Sequence, residues 1–323
     1  MTGASADPAT ITVIGEALID LVPGERRGTF YALPGGSPYN VAVGLARLGQ
    51  RTALMARLAD NTFGRLLRDK AVAEGIDLAA APMATQPTTL AVVNLDADAS
   101  ASYDFYFEGT ADWQWTDAEI SAVPVDTAVL HFGSLASWTP PGDTLILGLA
   151  RNLRDAGRAL VSYDPNVRPS LLTDPMRARG QVEAAVAVAH LAKASADDIA
   201  YLYQDWPTPD VAAHWLELGA SLVVITGSAR GAQAFTPAGL AIRRPARQVK
   251  VADTVGAGDS FTAGLLASLV RQGVHDPAGL GTCTDGQLAA ALDDAIMVAS
   301  LNCERQGNDP PTLDEVRAAS QPG

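Results

Sequence analysis

The stretch Asp253-Thr254-Val255-Gly256-Ala257-Gly258-Asp259-Ser260-Phe261-Thr262-Ala263-Gly264 sets one carboxylate among small residues, just where an apolar helical pattern begins. With Asp259 in the first helical turn, the free backbone N–H groups of Gly256 to Asp259 and the helix dipole converge on one spot, and the bare glycines let a phosphate come close to them. A carboxylate in that position can take a proton from an attacking hydroxyl. A glycine-rich turn capped by an acidic residue has the same appearance, so a second stretch must decide.

That second stretch is Gly35-Gly36-Ser37-Pro38-Tyr39-Asn40, followed by Val41, Leu45 and Leu48 at helical spacing and closed by Gly49. Two glycines let a ligand approach the backbone, and Asn40 offers an acceptor and two donors, as a polyhydroxylated molecule requires. Asn40 could equally be an N-cap. Together the two stretches resemble the paired signatures of the ribokinase-like (PfkB) sugar kinase family. Intermediate landmarks occur in the family's order, at Gly15-Glu16-Ala17-Leu18-Ile19-Asp20, Asp164-Pro165-Asn166-Val167-Arg168 and Thr226-Gly227-Ser228-Ala229-Arg230-Gly231, so the resemblance covers nearly the whole chain. One departure is Leu58-Ala59-Asp60-Asn61-Thr62-Phe63-Gly64, where the family often has glycine-aspartate.

Composition bounds the alternatives. The chain has 323 residues, 48% of them hydrophobic, enough for a well-buried core in one large α/β domain or two smaller ones. A net charge of −13 disfavours nonspecific binding to nucleic acid and to anionic membranes. Only Lys70, Lys193 and Lys250 are lysines, so anion recognition falls to arginine, backbone N–H groups or a metal ion. Cys283 and Cys303, without an apolar signal sequence, read as reduced thiols in a cytoplasmic protein, with Cys303 as a packing residue. No apolar run is long enough to span a bilayer, and Met1 to Thr10 reads as a disordered start. The four histidines lie far apart and neither cysteine has a close partner, which argues against zinc.

Short apolar runs at Ile11–Ile14, Thr52–Ala56, Ala128–Phe132, Ala159–Tyr163 and Leu222–Thr226 alternate with amphipathic helical stretches, the pattern of a mainly parallel sheet covered by helices. Small or polar residues repeatedly follow strand C-termini, where open α/β sheets bind ligands. Two stretches break the alternation, Asp20 to Leu33 and Thr88 to Trp113. In the latter, Leu90–Leu95 and Ser102–Phe107 flank Asp96 to Ala99, and both stretches read as hairpins. Phe261–Arg271 and Gln287–Cys303 are the clearest helices, the second presenting Ala289, Leu292, Ile296, Ala299 and Cys303 on one face. Trp113 and Trp115 are candidates for lining the second hairpin.

The resemblance implies a ribokinase-like three-layer α/β/α fold over residues 1–323 as one domain. A small β lid would come from segments of about 16–34 and 88–113 and often serves relatives as the dimer surface. By the same resemblance Asp259 is the general base, the N–H groups of Gly256, Ala257 and Gly258 form the anion hole, and Asp20, Gly35, Gly36 and Asn40 hold sugar hydroxyls. There is no Walker sequence and no strand followed by G-x-G-x-x-G, so ATP must be held otherwise. In the resembled family it lies against a loop like Thr226, Gly227, Ser228 and Gly231. An acidic motif beside it serves water-mediated Mg²⁺ binding, and here Ser195 and Asp198 stand where many relatives have Asn and Glu. Asp253 matches a position that helps hold a monovalent cation, K⁺, in several relatives.

Asp164-Pro165-Asn166-Val167-Arg168 looks like the pattern of fructokinases and 2-keto-3-deoxygluconate kinases, in which the arginine faces the acceptor. Relatives that bind the keto-deoxy acid usually carry another arginine in a lid strand, where this chain has Phe107 beside Glu108. A neutral sugar, fructose first, is the expected acceptor. Ribose, another ketose, the keto-deoxy acid and a nucleoside are alternatives on the same fold. A noncatalytic sugar- or nucleotide-sensing protein would be expected to lack the base, which is present. A dinucleotide-dependent oxidoreductase would carry the missing fingerprint.

Overall fold

The computed structural model describes residues 9–95, 101–239 and 241–320. Eight strands form one sheet in the order β14-β13-β12-β11-β10-β9-β1-β4. They are β1 (Thr10–Ile14), β4 (Thr52–Met55), β9 (Thr127–Gly133), β10 (Leu160–Asp164), β11 (Leu191–Ser195), β12 (Leu222–Thr226), β13 (Ala232–Phe235) and β14 (Ala241–Arg244). From β4 to β12 every pairing is parallel, and β13 and β14 extend the sheet antiparallel. The five apolar runs of the sequence are all strands here. Thr10 is the buried first residue of β1, so the polar start of the chain gives way to ordered strand earlier than its composition suggests, because the Thr10 backbone pairs with Thr127. The rest of that start, residues 1–8, lies outside the described residues.

Strand order reverses at β1: the chain goes first to β4 on one side and later to β9 on the other. Such a switch point opens a crevice beyond the strand C-termini, and Gly15, Gly133 and Asp164 stand at its edge. The buried side chains fall into two large clusters, which is what covering both faces of a parallel sheet with helices requires. Among the described residues no helix is long and apolar enough to cross a membrane.

A second sheet projects beside the crevice. It orders as β3-β2-β7-β8, from β2 (Leu18–Pro23), β3 (Phe30–Gly35), β7 (Leu90–Leu95) and β8 (Ala101–Tyr106). The two hairpins read from the sequence are thus joined, through parallel pairing of Ile19–Leu21 with Leu90–Val92. The Asp96–Ala99 turn of the second hairpin is outside the described residues. A two-stranded piece, β5 (Leu58–Ala59) with β6 (Met83–Ala84), sits apart. Trp113 and Trp115 lie in the core below the lid, 2% and 4% exposed, not on its surface.

Three helices position the site. The Ala257–Arg271 helix lies between the Ser37–Arg47 and Asp285–Cys303 helices. Small residues allow the close approach. A Cβ on Gly44 would stand 2.7 Å from Ala263 Cβ, and one on Gly264 would stand 2.9 Å from Ala295 Cα. The buried face of the last helix carries Leu288, Ala291, Leu292, Ala295 and Val298. Ala289, Ile296, Ala299 and Cys303 are only half-buried, so that face is displaced by about one residue from the one the periodicity suggested.

Candidate active site

Asp259 is the third residue of the Ala257–Arg271 helix, whose N-cap Gly256 adopts a left-handed conformation (φ 73°). Any Cβ there would also strike Asn308 Oδ1 at 2.0 Å. The N–H of Ala257 closes a turn on the Thr254 carbonyl at 3.2 Å, whereas those of Gly256, Gly258 and Asp259 have no acceptor among the described residues. Of the Gly256, Ala257 and Gly258 donors of the sequence reading, the first and third are therefore free and the second is not.

Both oxygens of Asp259 accept hydrogen bonds from the Ser37–Arg47 helix. Ser37 Oγ donates to Oδ1 at 2.6 Å, and Asn40 Nδ2 donates to Oδ2 at 2.8 Å. Gly36 caps that helix (φ 101°), so Asn40 is not an N-cap but a bridge between the two signature stretches. Its buried Oδ1 has no partner, which leaves an acceptor for a ligand hydroxyl. Burial pushes the Asp259 carboxyl upward, while Ser37, Asn40 and Lys193 pull it back.

Asp20 reaches the crevice from β2. Burial raises its carboxyl to about 6; the Arg168 charge opposes this and Asp259 adds to it, so the three groups lie within electrostatic reach of one another. Gly35 is bare because a Cβ would stand 2.1 Å from Asp20 Oδ2, and Gly36 because one would stand 2.7 Å from the Glu16 carbonyl. Arg168 folds over its own loop, donating from Nη1 to Asn166 Oδ1 at 2.7 Å. It has no carboxylate within 4 Å among the described residues. Phe107 lies further out, edge-on to Trp113 with centroids 6.3 Å apart. With Trp138, Leu171 and Leu172 it lines a cavity of about 200 Å³.

Ser195 and Asp198 meet at the start of the Ala196–Tyr203 helix and satisfy each other. Ser195 N and Oγ donate to Asp198 Oδ2, and the other oxygen accepts from Val167 N at 2.8 Å. Gly227 and Gly231, with Ala196, Arg230 and Arg243, line a cavity of about 150 Å³ beyond β12. Thr226 ends that strand and Ser228 opens the short helix beside it. Asp253 accepts from Val255 N at 3.0 Å and Gly307 N at 2.9 Å, holding its turn to the segment after Cys303. Among the described residues no three His, Cys, Asp or Glu side chains converge to hold a metal.

Four residues of the site were not singled out from the sequence. Ser37 sat inside a quoted motif without a role. Tyr103 lies on the lid face, its phenol raised by burial and then by Asp20; the period-two run Tyr103, Phe105, Phe107 is the signal that could have found it. Lys193 and Asp164 form a buried pair at 2.7 Å. A lone lysine in the apolar run Leu191 to Ala194 is the sign that a partner had to exist.

The pfkB family carbohydrate kinase profile matches residues 8–315. A fructokinase from Rhizobium leguminosarum bv. trifolii is 37% identical over 265 residues, spanning 80% of this chain and 79% of its own. Among solved structures, a fructokinase with bound ATP from Xylella fastidiosa aligns with a TM-score of 0.87 at 28% identity, covering 96% of this chain and 97% of that one. A fructokinase double mutant from Vibrio cholerae O395 in fructose, ADP and potassium ion bound form aligns at 0.85 and 25% identity, over 98% and 99% of the two chains. The chain belongs to the pfkB family of carbohydrate kinases and is an ATP-dependent sugar kinase most like the fructokinases.

Proposed function

We propose that this kinase transfers the terminal phosphoryl group of ATP to the 6-hydroxyl of fructose, with Asp259 as general base. The observation that carries the reading is a buried carboxylate in the first turn of a helix, clamped by Ser37 and Asn40, beside unpaired backbone N–H groups. Asp259 takes the hydroxyl proton as the acceptor attacks, and the free N–H groups of Gly256 and Gly258, with Ala257 between them, meet the charge that develops on the transferred group. Asp20, Gly35, Gly36 and Asn40 bind the remaining hydroxyls and Arg168 faces the acceptor.

Thr226, Gly227, Ser228 and Gly231 bear on the nucleotide, with Arg230 and Arg243 beside them. A divalent ion such as Mg²⁺, when bound, neutralises phosphate charge. With the oxygens of Asp198 already accepting from Ser195 and Val167, Ser195 and Asp198 would hold that ion through water. Asp253 and the unpartnered buried Oδ1 of Asn308 fit a structural K⁺ behind the anion-hole turn. Phe30, Tyr31 and Tyr106, all more than half exposed on the lid, suit a homodimer through that sheet. The free thiols of Cys283 and Cys303 fit a cytoplasmic setting.

The uncharged Phe107 supports a neutral acceptor, because it supplies no positive charge to an added carboxylate. Rates with fructose, ribose, 2-keto-3-deoxygluconate and adenosine, measured as ADP release, test the assignment. Fructose should have the highest kcat/KM, by about tenfold or more. A preference for the keto-deoxy acid would overturn fructose as substrate and place a positive charge elsewhere in the pocket.

A further inference from the structure

Lys193 takes no part in the transfer just described, yet its ammonium lies against the turn on which the transfer depends. Nζ is 2.7 Å from Asp164 Oδ2, and both side chains are only 5% exposed, the most buried ion pair among the described residues. The same nitrogen is 3.5 Å from the Gly258 carbonyl oxygen, and a Cβ on Gly258 would stand 3.3 Å from it. Thr262 closes the ring, donating to the Gly258 carbonyl at 3.1 Å and reaching Asp164 Oδ2 at 3.4 Å. The C-terminal end of β10 and the middle of β11 are thereby tied to the first turn of the Ala257–Arg271 helix. Burying an ion pair is a weak source of stability, since desolvation offsets most of the attraction, so folding alone does not account for a lysine here.

We propose that Lys193 is a positioning residue of phosphoryl transfer: anchored on Asp164, its ammonium supports the Gly258 turn at the anion hole and sets positive potential beside the Asp259 carboxylate. The inference rests on Asp259 as the base. Asp259 is faced by Lys193 and Asp164 from the large sheet, by Asp20 from the lid and by the neutral Ser37 and Asn40. Lys193 is faced in turn by Asp198 and by the buried His131. Burial alone would draw a proton onto Asp259, and Lys193 opposes it. Without the ammonium the base stays protonated to higher pH, so the acid limb of the rate profile moves upward.

The test is the pH dependence of kcat from pH 5 to 9 in the full chain, with ATP and the preferred acceptor of the sugar panel. Lys193→Met should move the acid limb up by about one unit and lower kcat near neutrality by about tenfold, leaving the sugar KM within about threefold. Lys193→Arg should return the limb toward its original position. Should the Met protein fail to fold in a thermal melt, the neutral, polar Lys193→Gln carries the same expectation. An unmoved limb, or a loss equal at every pH that arginine does not rescue, overturns the proposal. Asp259→Asn run in parallel separates the two assignments: if it keeps turnover, the base is wrong; if it loses turnover while the Lys193 variants keep the original limb, only the role of Lys193 is wrong.

Discussion

Two clusters of buried carboxylates, Glu16 with Asp112 and Asp164 with Asp198 and Asp259, meet the same electrostatic problem differently. At the lid hinge, Glu16 and Asp112 are almost wholly buried, and burial pushes their carboxyls up to about 7 and about 6. Their contacts are mostly neutral: Ala136 N donates to Glu16, while Ala17 N and the Thr89 hydroxyl donate to Asp112. The nearest cation, Arg57, is committed to Glu119. At the transfer site, Asp164, Asp198 and Asp259 surround Lys193. The first cluster has neutral donors around it and the second an ammonium group. In the second cluster the Lys193 ammonium opposes the burial that raises the Asp198 and Asp259 carboxyls.

The largest expected effect comes from removing the Asp259 carboxylate. Asp259→Asn should lower turnover by about a thousandfold or more while leaving sugar affinity nearly intact, since the amide keeps the size and one acceptor for Ser37 or Asn40. Product formation by folded protein is the measurement, with thermal melting to exclude a damaged helix start; a modest loss would return Asp259 to the role of a cap. Next comes the hinge. Because the folded-state pKa of Glu16 is raised, stability is greatest below its ordinary value of 4.5 and falls as pH rises toward about 7. Glu16→Gln should remove most of that slope, making the protein about 1–3 kcal/mol more stable than wild type at pH 8 and little different at pH 5. Denaturant melts at the two pH values report it, and parallel slopes would mean that the hinge acid is already solvated. The smallest effect tests the lid side by giving it a cation of its own. Phe107→Arg should improve kcat/KM for 2-keto-3-deoxygluconate relative to fructose by about tenfold. An unchanged ratio would show that this position does not reach the acceptor.

The sequence carried the architecture further than the electrostatics. Strands such as Leu222–Thr226 were legible because a run of apolar residues needs burial on both faces, and the glycines of both signatures were legible because positive φ or close approach leaves few other choices. The place of Asp259 in the first turn of a helix was legible from the apolar pattern that follows it. The pairing of Ser37 with Asp259 was not, because short-range spacing says nothing about which loops meet. Lys193 was counted only as one of three lysines, although an isolated charge on a strand implies a buried partner. Ala257 was miscounted among the free donors because a turn on Thr254 cannot be read from composition.

The bonds from Ser37 and Asn40 to Asp259 join positions 222 and 219 residues apart. During synthesis the first stretch emerges long before its counterpart exists, and the chain between them must be spanned before the clamp can close. Closing so long a loop carries an entropic cost that no local contact offsets, so the clamp can form only once the intervening strands have drawn the ends together. The clamp is therefore a late product of folding, and a nascent or truncated protein ending before Asp259 holds the Gly35–Asn40 stretch without the carboxylate that Ser37 and Asn40 bind.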